Sequence, residues 1–206
     1  MHMIPPMLPF QHLNLRRNPF GELTPRDRVA VAVVELEAAS AVLGRGDVVQ
    51  LLAEHGRGKT THLLALQALF PEGPYVRGAR ERDVRLPADG VAFVDEADSL
   101  AHAARRALWI RRGALAVATH VDFTPEIRGA GRRVETFRLR GLAPDRLGRI
   151  LERRIEASRR GPGPVPRLTD AALAALVRDH GDDVRAIERR LYDVFQDLRE
   201  VGDVAL

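Results

Sequence analysis

Residues Asp47 to Leu69 read DVVQLLAEHGRGKTTHLLALQAL, and this stretch decides the fold. Val48 to Leu52 is an apolar run of buried-strand length, interrupted only by Gln50. Ala53-Glu54-His55-Gly56-Arg57-Gly58-Lys59-Thr60 follows, and then an amphipathic helix carrying Leu63, Leu64, Leu66, Ala68 and Leu69. Strand, glycine-bearing loop and helix in that order are the setting of a phosphate-binding loop. Gly56 and Gly58 let the backbone curl so that successive N–H groups face an anion. The helix starting near Lys59 brings the positive end of its dipole to the same place. Lys59 is suited to bridge the terminal phosphates of a nucleotide, and the Thr60 hydroxyl to complete a Mg²⁺ shell. Ala53 stands where the motif usually has glycine, which the loop tolerates if that residue keeps a negative φ.

Composition supports the choice of lysine. The chain has 32 Lys plus Arg, and Lys59 is its one lysine. A compact ammonium on a flexible stem suits a phosphate cradle better than a planar guanidinium. With 206 residues and 45% hydrophobic content the chain can bury a core, and with 5% aromatics that core is aliphatic. It has no cysteine, which excludes disulfide scaffolds and cysteine-ligated metal and fits a reducing cytoplasm. No apolar run reaches the roughly 18 residues of a membrane helix. Pro5, Pro6 and Pro9 interrupt the N-terminus where a signal peptide would be continuously apolar. A cytoplasmic protein without membrane insertion is expected. The net charge of +4 fits either a surface of solvated arginines or a dedicated nucleic-acid face.

In chain order, residues 1–17 read as irregular. Asn18-Pro19-Phe20 precedes a helix with Thr24 as its cap and Pro25 in its first turn, expected to run to about Val42 and to bury Val29, Val33, Leu36 and Ala39 or Ser40. Past the loop helix, Pro71-Glu72-Gly73-Pro74 is a stop, Tyr75-Val76-Arg77 a short strand, and Asp83 to Leu86 a weak one. Gly90-Val91-Ala92-Phe93-Val94-Asp95-Glu96 reads as a central parallel strand closed by two acids, 36 residues after Lys59 for the first of them. The carboxyl ends of such strands are where ligands sit. Asp95 would hold Mg²⁺ directly or through water, and Glu96 would orient an attacking water.

Ser99 to Arg112 reads as a helix with Leu100, Ala103, Ala104, Ala107 and Leu108 on its apolar side. Ala114 to Ala118 is a further strand, ending in Thr119-His120, either of which can reach the water or terminal phosphate beside Glu96. Asp122 to Gly131 is a polar segment, Arg128, Arg132 and Arg133 cluster there, and Val134 to Leu139 alternates as the last strand. From Ala143 the chain reads as all helical, over about Pro144–Arg159, Asp170–Asp179 and Asp183–Val201.

These residues resemble an AAA+ ATPase, of the branch that includes secretion-associated, transposition-associated and replication-initiator ATPases, from about residue 18 to the C-terminus. The resemblance implies an α/β fold: a P-loop NTPase three-layer sandwich around a central parallel sheet, over 18–140, and a small helical lid over 141–206. It implies a Walker A motif from Ala53 to Thr60, with Thr61 next to it, and a Walker B motif from Val91 to Glu96. Thr119 or His120 would be the first sensor, and Arg185 in Gly181-Asp182-Asp183-Val184-Arg185 the second. Arg132 or Arg133 would be the finger offered to a neighbouring subunit.

The expected activity is Mg²⁺-dependent ATP hydrolysis, with ATP-dependent homo-oligomerisation and action on DNA or a partner protein. Two alternatives compete with it. One is a slow-hydrolysing switch or scaffold, and the other a nucleic-acid-binding module using Arg153, Arg154, Arg159, Arg160, Arg189 and Arg190.

Overall fold

The computed structural model describes residues 9–78, 85–141 and 143–206. These divide into two compact units, one spanning Val34–Arg140 and the other joining the N-terminal residues through Val33 to Gly141–Leu206.

The first unit is a parallel sheet of β1 (Val48–Leu52), β2 (Tyr75–Arg77), β3 (Ala92–Asp95), β4 (Leu115–Thr119) and β5 (Val134–Arg138), in the order β2-β3-β4-β1-β5. Strands β1, β3 and β4 are buried throughout, as their mainly apolar runs demand of a sheet covered on both faces. Alternate residues serve the two faces. Val49, Leu51, Phe93, Ala116 and Ala118 pack with Ala39, Val42 and Leu43 of α2 (Glu37–Gly44) and with Leu63 and Leu66 of α3 (Lys59–Leu69). Val48, Ala92, Val94, Leu115 and Val117 pack on the other side with Leu108 and Trp109 of α4 (His102–Trp109) and Ile127 of α5 (Thr124–Gly129). The result is the three-layer α/β sandwich of a P-loop NTPase. No helix among the described residues is long and apolar enough to cross a membrane.

The second unit packs α6 (Pro144–Ala157), α7 (Asp170–His180) and α8 (Val184–Asp197) around Leu147, Leu151, Ile155, Leu176, Ile187, Leu191 and Phe195. Leu13, Leu15 and Phe20 of the N-terminal segment are buried in that same core. Arg154 fastens them there: it is 4% exposed, donates to the carbonyls of Pro19 (2.8 Å) and Gly21 (2.7 Å), and pairs with Glu188. Arg154 therefore does not belong to a nucleic-acid surface, and Arg159 is engaged by Glu156 and the Gly163 carbonyl.

Several expectations are corrected. The helix from Thr24 does not continue to Val42: α1 (Pro25–Ala30) stops, and α2 starts afresh at Glu37. The Ala32 and Val33 carbonyls, which a continuing helix would use itself, accept from Arg153 (2.5 Å) and Arg146 (2.8 Å) of α6. The helix expected from Ser99 begins at His102, because Glu96 takes a left-handed conformation, Ala97–Ser99 forms a 3₁₀ turn and Leu100 is extended. Ala103 and Ala107 are exposed, and Trp109 anchors the helix in their place. The polar segment after Asp122 contains α5. The C-terminal part is not all helical: β6 (Arg167–Leu168) and β7 (Asp203–Val204) pair in parallel, and α8 ends at Asp197. Residues 1–8 of the segment read as irregular, and 83–84 of the expected weak strand, lie outside the described residues, while Arg85 and Leu86 are not in a strand.

Candidate active site

The loop between β1 and α3 has the conformation its glycines were expected to supply. Gly56 and Gly58 have φ of 78° and 83°, the left-handed region that side chains disfavour, whereas Ala53 is not among the residues of positive φ. Gly58 caps α3, and no side chain accepts from the N–H groups of its first turn. Glu54 and His55 are exposed at the rim, Arg57 and Thr61 half-buried.

Lys59 is 9% exposed and its ammonium is fully engaged. It donates to the carbonyls of Ala53 (2.6 Å) and Glu54 (2.8 Å) and lies 3.2 Å from Nδ1 of His120. The two strand-end candidates thus differ. The Thr119 hydroxyl is fully buried and closes a turn, donating to the Val121 carbonyl and accepting from the Val121 N–H, both at 3.0 Å. His120 is the one brought to Lys59. Its ring lies against that of His55, centroids 3.8 Å apart, and the His120 backbone N–H donates to Asp98 at 3.2 Å. Burial, then the Lys59 charge, then His55 hold the His120 imidazole below its usual pKa.

On β3, Asp95 is 1% exposed and accepts at one oxygen from Thr60 Oγ1 and the Tyr75 hydroxyl, both at 2.8 Å. Its other oxygen accepts from the Glu96 N–H at 3.0 Å. Burial, then the Asp95 charge, push the Tyr75 phenol far up, so it stays a donor. Glu96 has φ 54°, and its carboxylate pairs with Arg77 of β2 at 2.5 Å. The close approach of Gly78 to this bend excludes a side chain, since a Cβ there would lie 2.5 Å from the Glu96 carbonyl. The Thr60 hydroxyl and Asp95 carboxylate are hard oxygens that meet beside the phosphate loop. That donor set fits Mg²⁺, which takes one or two protein oxygens and completes its shell with phosphate and water. Among the described residues no cluster of three or more His, Asp or Glu offers an all-protein metal cage.

Gln50, the polar interruption in β1, is fully buried. It donates to Asp122 (3.0 Å), Thr124 (3.2 Å) and Thr136 (2.9 Å) and accepts from the Phe123 N–H (2.8 Å). It therefore fixes the loop that follows His120. The Thr124 hydrogen bonds, with Gln50 and Arg138 adding to them, hold the Asp122 carboxyl well below the usual carboxylate range.

The arginines preceding β5 sit at the amino ends of the strands. Arg132 donates to the carbonyls of Arg111, Gly46 (3.1 Å) and Gly113 (2.8 Å), and tethers the turns entering β1 and β4. Arg133 pairs with Asp47 at 3.1 Å while its side chain stays 82% exposed. Arg128 is exposed on α5, and Arg185 is exposed in the first turn of α8.

Sequence reading did not single out Tyr75, Arg77, Asp98 or the role of Gln50. The available signals were the i, i+2 spacing of Tyr75 and Arg77 on the strand paired with the acid strand, and a glutamine inside an apolar run.

No model of a known protein family matches the chain, and no curated protein sequence matches it. Solved structures do. The Thermotoga maritima RuvB Holliday junction branch migration motor aligns with a TM-score of 0.56 at 20% identity, over 88% of this chain and 66% of that one. Two point-substituted forms of T. maritima RuvB align with TM-scores of 0.58 and 0.59 at 18% identity, each over 82% of this chain. The chain spans just under two thirds of those RuvB chains, at 63% to 66% of their length. At this identity the likeness is one of fold, the P-loop NTPase sandwich followed by helices.

Proposed function

We propose that the chain is an AAA+-type ATPase that binds ATP with Mg²⁺ and hydrolyses it. The observation that carries this reading is the Thr60–Asp95 hydrogen bond, which ties the glycine loop and its lysine to the acid strand, with Glu96 next in line. Lys59 would exchange its carbonyl and imidazole partners for the terminal phosphates, aided by the N–H groups of α3. Thr60 and Asp95 would hold Mg²⁺, which supplies charge neutralisation at the phosphates. Glu96 would align water once its carboxylate leaves Arg77, and His120 would face the terminal phosphate.

Arg133 is the better candidate to reach a neighbouring copy, because the Arg132 guanidinium already holds three carbonyls. The assignment of Arg185 to the nucleotide rests on the family resemblance. Action on DNA is the reading that the name of the RuvB neighbour supports, and a cytoplasmic, ATP-assembled oligomer is its natural form.

The test is Mg²⁺-dependent ATP hydrolysis per subunit as protein concentration rises. Activity that climbs with concentration supports a site completed between copies. Glu96→Gln is expected to keep ATP binding and lower turnover by about 10²–10⁴-fold; undiminished hydrolysis would remove Glu96 from the mechanism. The Arg77–Glu96 pair also favours a second reading, a slow switch whose hydrolysis waits for a partner. Tight ATP binding with near-zero turnover at every concentration would select it.

A further inference from the structure

His120 meets Lys59 through a ring nitrogen, Nδ1 at 3.2 Å from Nζ, and the chemistry of that contact assigns its protonation. An ammonium has three donors and no acceptor, so Nδ1 must offer its lone pair. In this contact the imidazole is therefore neutral, with its proton on Nε2. Lys59 also donates to the Ala53 and Glu54 carbonyls. Among the described residues, Lys59 from α3 and His55 from the loop disfavour the charged form of His120, and Asp98 from the 3₁₀ turn and the Ala53 carbonyl favour it.

Anionic phosphate at this loop changes that balance. Lys59 reaches phosphate oxygens by turning its ammonium from the His120 ring, and His120 then loses the donor that required its lone pair. The ring then faces an anion in a partly buried site, where opposite charge favours the protonated form. We infer that filling the phosphate loop converts His120 from a neutral acceptor into an imidazolium, so that nucleotide is bound together with a proton taken up from solvent. This rests on the nucleotide-binding reading of the site and adds a linkage to it. The sign follows from holding more protons in the complex. Affinity gains as pH falls from above the pKa of His120 with nucleotide bound to below its pKa without nucleotide, and levels off beyond.

The experiment is calorimetric titration of the full chain with Mg²⁺-free ATP at pH 7, in buffers of different ionisation enthalpy. Wild type is compared with His120→Asn, so that protons gained or lost by ATP itself cancel in the difference. The expected result is net uptake in wild type that the variant lacks, and an affinity that strengthens from pH 8 to pH 6 more in wild type than in the variant. Equal proton counts in the two proteins, zero included, overturn the inference. Absence of ATP binding by wild type at any pH would instead remove the nucleotide reading beneath it. If His120→Asn does not fold or bind, the imidazole ¹⁵N shifts of wild-type His120 with and without ATP answer the same question. A ring that stays neutral in the complex overturns the inference, and one that becomes doubly protonated upholds it.

Discussion

At the scale of single residues, β2 controls both acids of the site. Tyr75 and Arg77 are two apart, so their side chains leave the strand on one face, the first reaching Asp95 and the second Glu96. The Arg77–Glu96 pair is partly solvated, with side chains 42% and 27% exposed, so it is a light restraint. Arg77→Ala should free Glu96 and raise basal ATP turnover by about two- to five-fold, the factor that about 0.5–1 kcal/mol supplies. A steady-state assay with the variant checks this; a fall in turnover would mean that Arg77 holds Glu96 in its working position. The left-handed turns at Gly56 and Gly58 were legible residue by residue, because backbone freedom is local. The partners of Asp95 and Glu96 were not, since they come from a strand whose place beside β3 is a tertiary fact.

At the scale of the element, Gln50 shows how a strand carries a function that its neighbours lack. A buried amide is stable only with its hydrogen bonds made. Here one side chain joins β1, the loop after β4 and β5. Gln50→Ala removes those bonds, leaves a cavity and strands the buried Phe123 N–H, at an expected cost of about 2–4 kcal/mol. Urea denaturation measures it, and an unchanged midpoint would show that water replaces the amide. The same network makes the loop sensitive to acid. Asp122 has a depressed pKa in the folded protein, so its contribution is present above the unfolded value of 3.8 and is lost as pH falls through the lower native one. The helices were harder to read than the strands. Thr24 and Pro25 predicted the start of α1 correctly, and Thr24 does cap Asp27 at 3.2 Å. Its end is set by arginines of α6 that take the Ala32 and Val33 carbonyls, which no local pattern announces.

For the molecule as a whole, Arg154 is the residue on which the N-terminal segment depends. It is held by two carbonyls and Glu188, and its guanidinium lies 5.5 Å from the centre of the Phe20 ring. Burial lowers its pKa against the raising effect of Glu188, without approaching a neutral guanidine. Arg154→Ala leaves Glu188 and two carbonyls without their donor and should cost about 3–5 kcal/mol. Chemical denaturation gives the value. Protease cutting within residues 9–33, faster in the variant than in wild type, would place the loss in that segment; a change below 1 kcal/mol, on the order of an exposed pair, would contradict the structure.

What the sequence determined by itself was the five strands of the parallel sheet, the glycine loop with its single lysine, and the acid-closed strand. Each of these is written in near neighbours: hydrophobic period, run length, and residues with special backbone freedom. What only the tertiary structure decided was which of Thr119 and His120 meets Lys59, that Arg132 tethers turns while Arg133 stays exposed, and that Leu13, Leu15 and Phe20 complete the C-terminal core. Those outcomes depend on contacts between residues tens of positions apart, and burial and competition for hydrogen bonds settle them once the chain has closed.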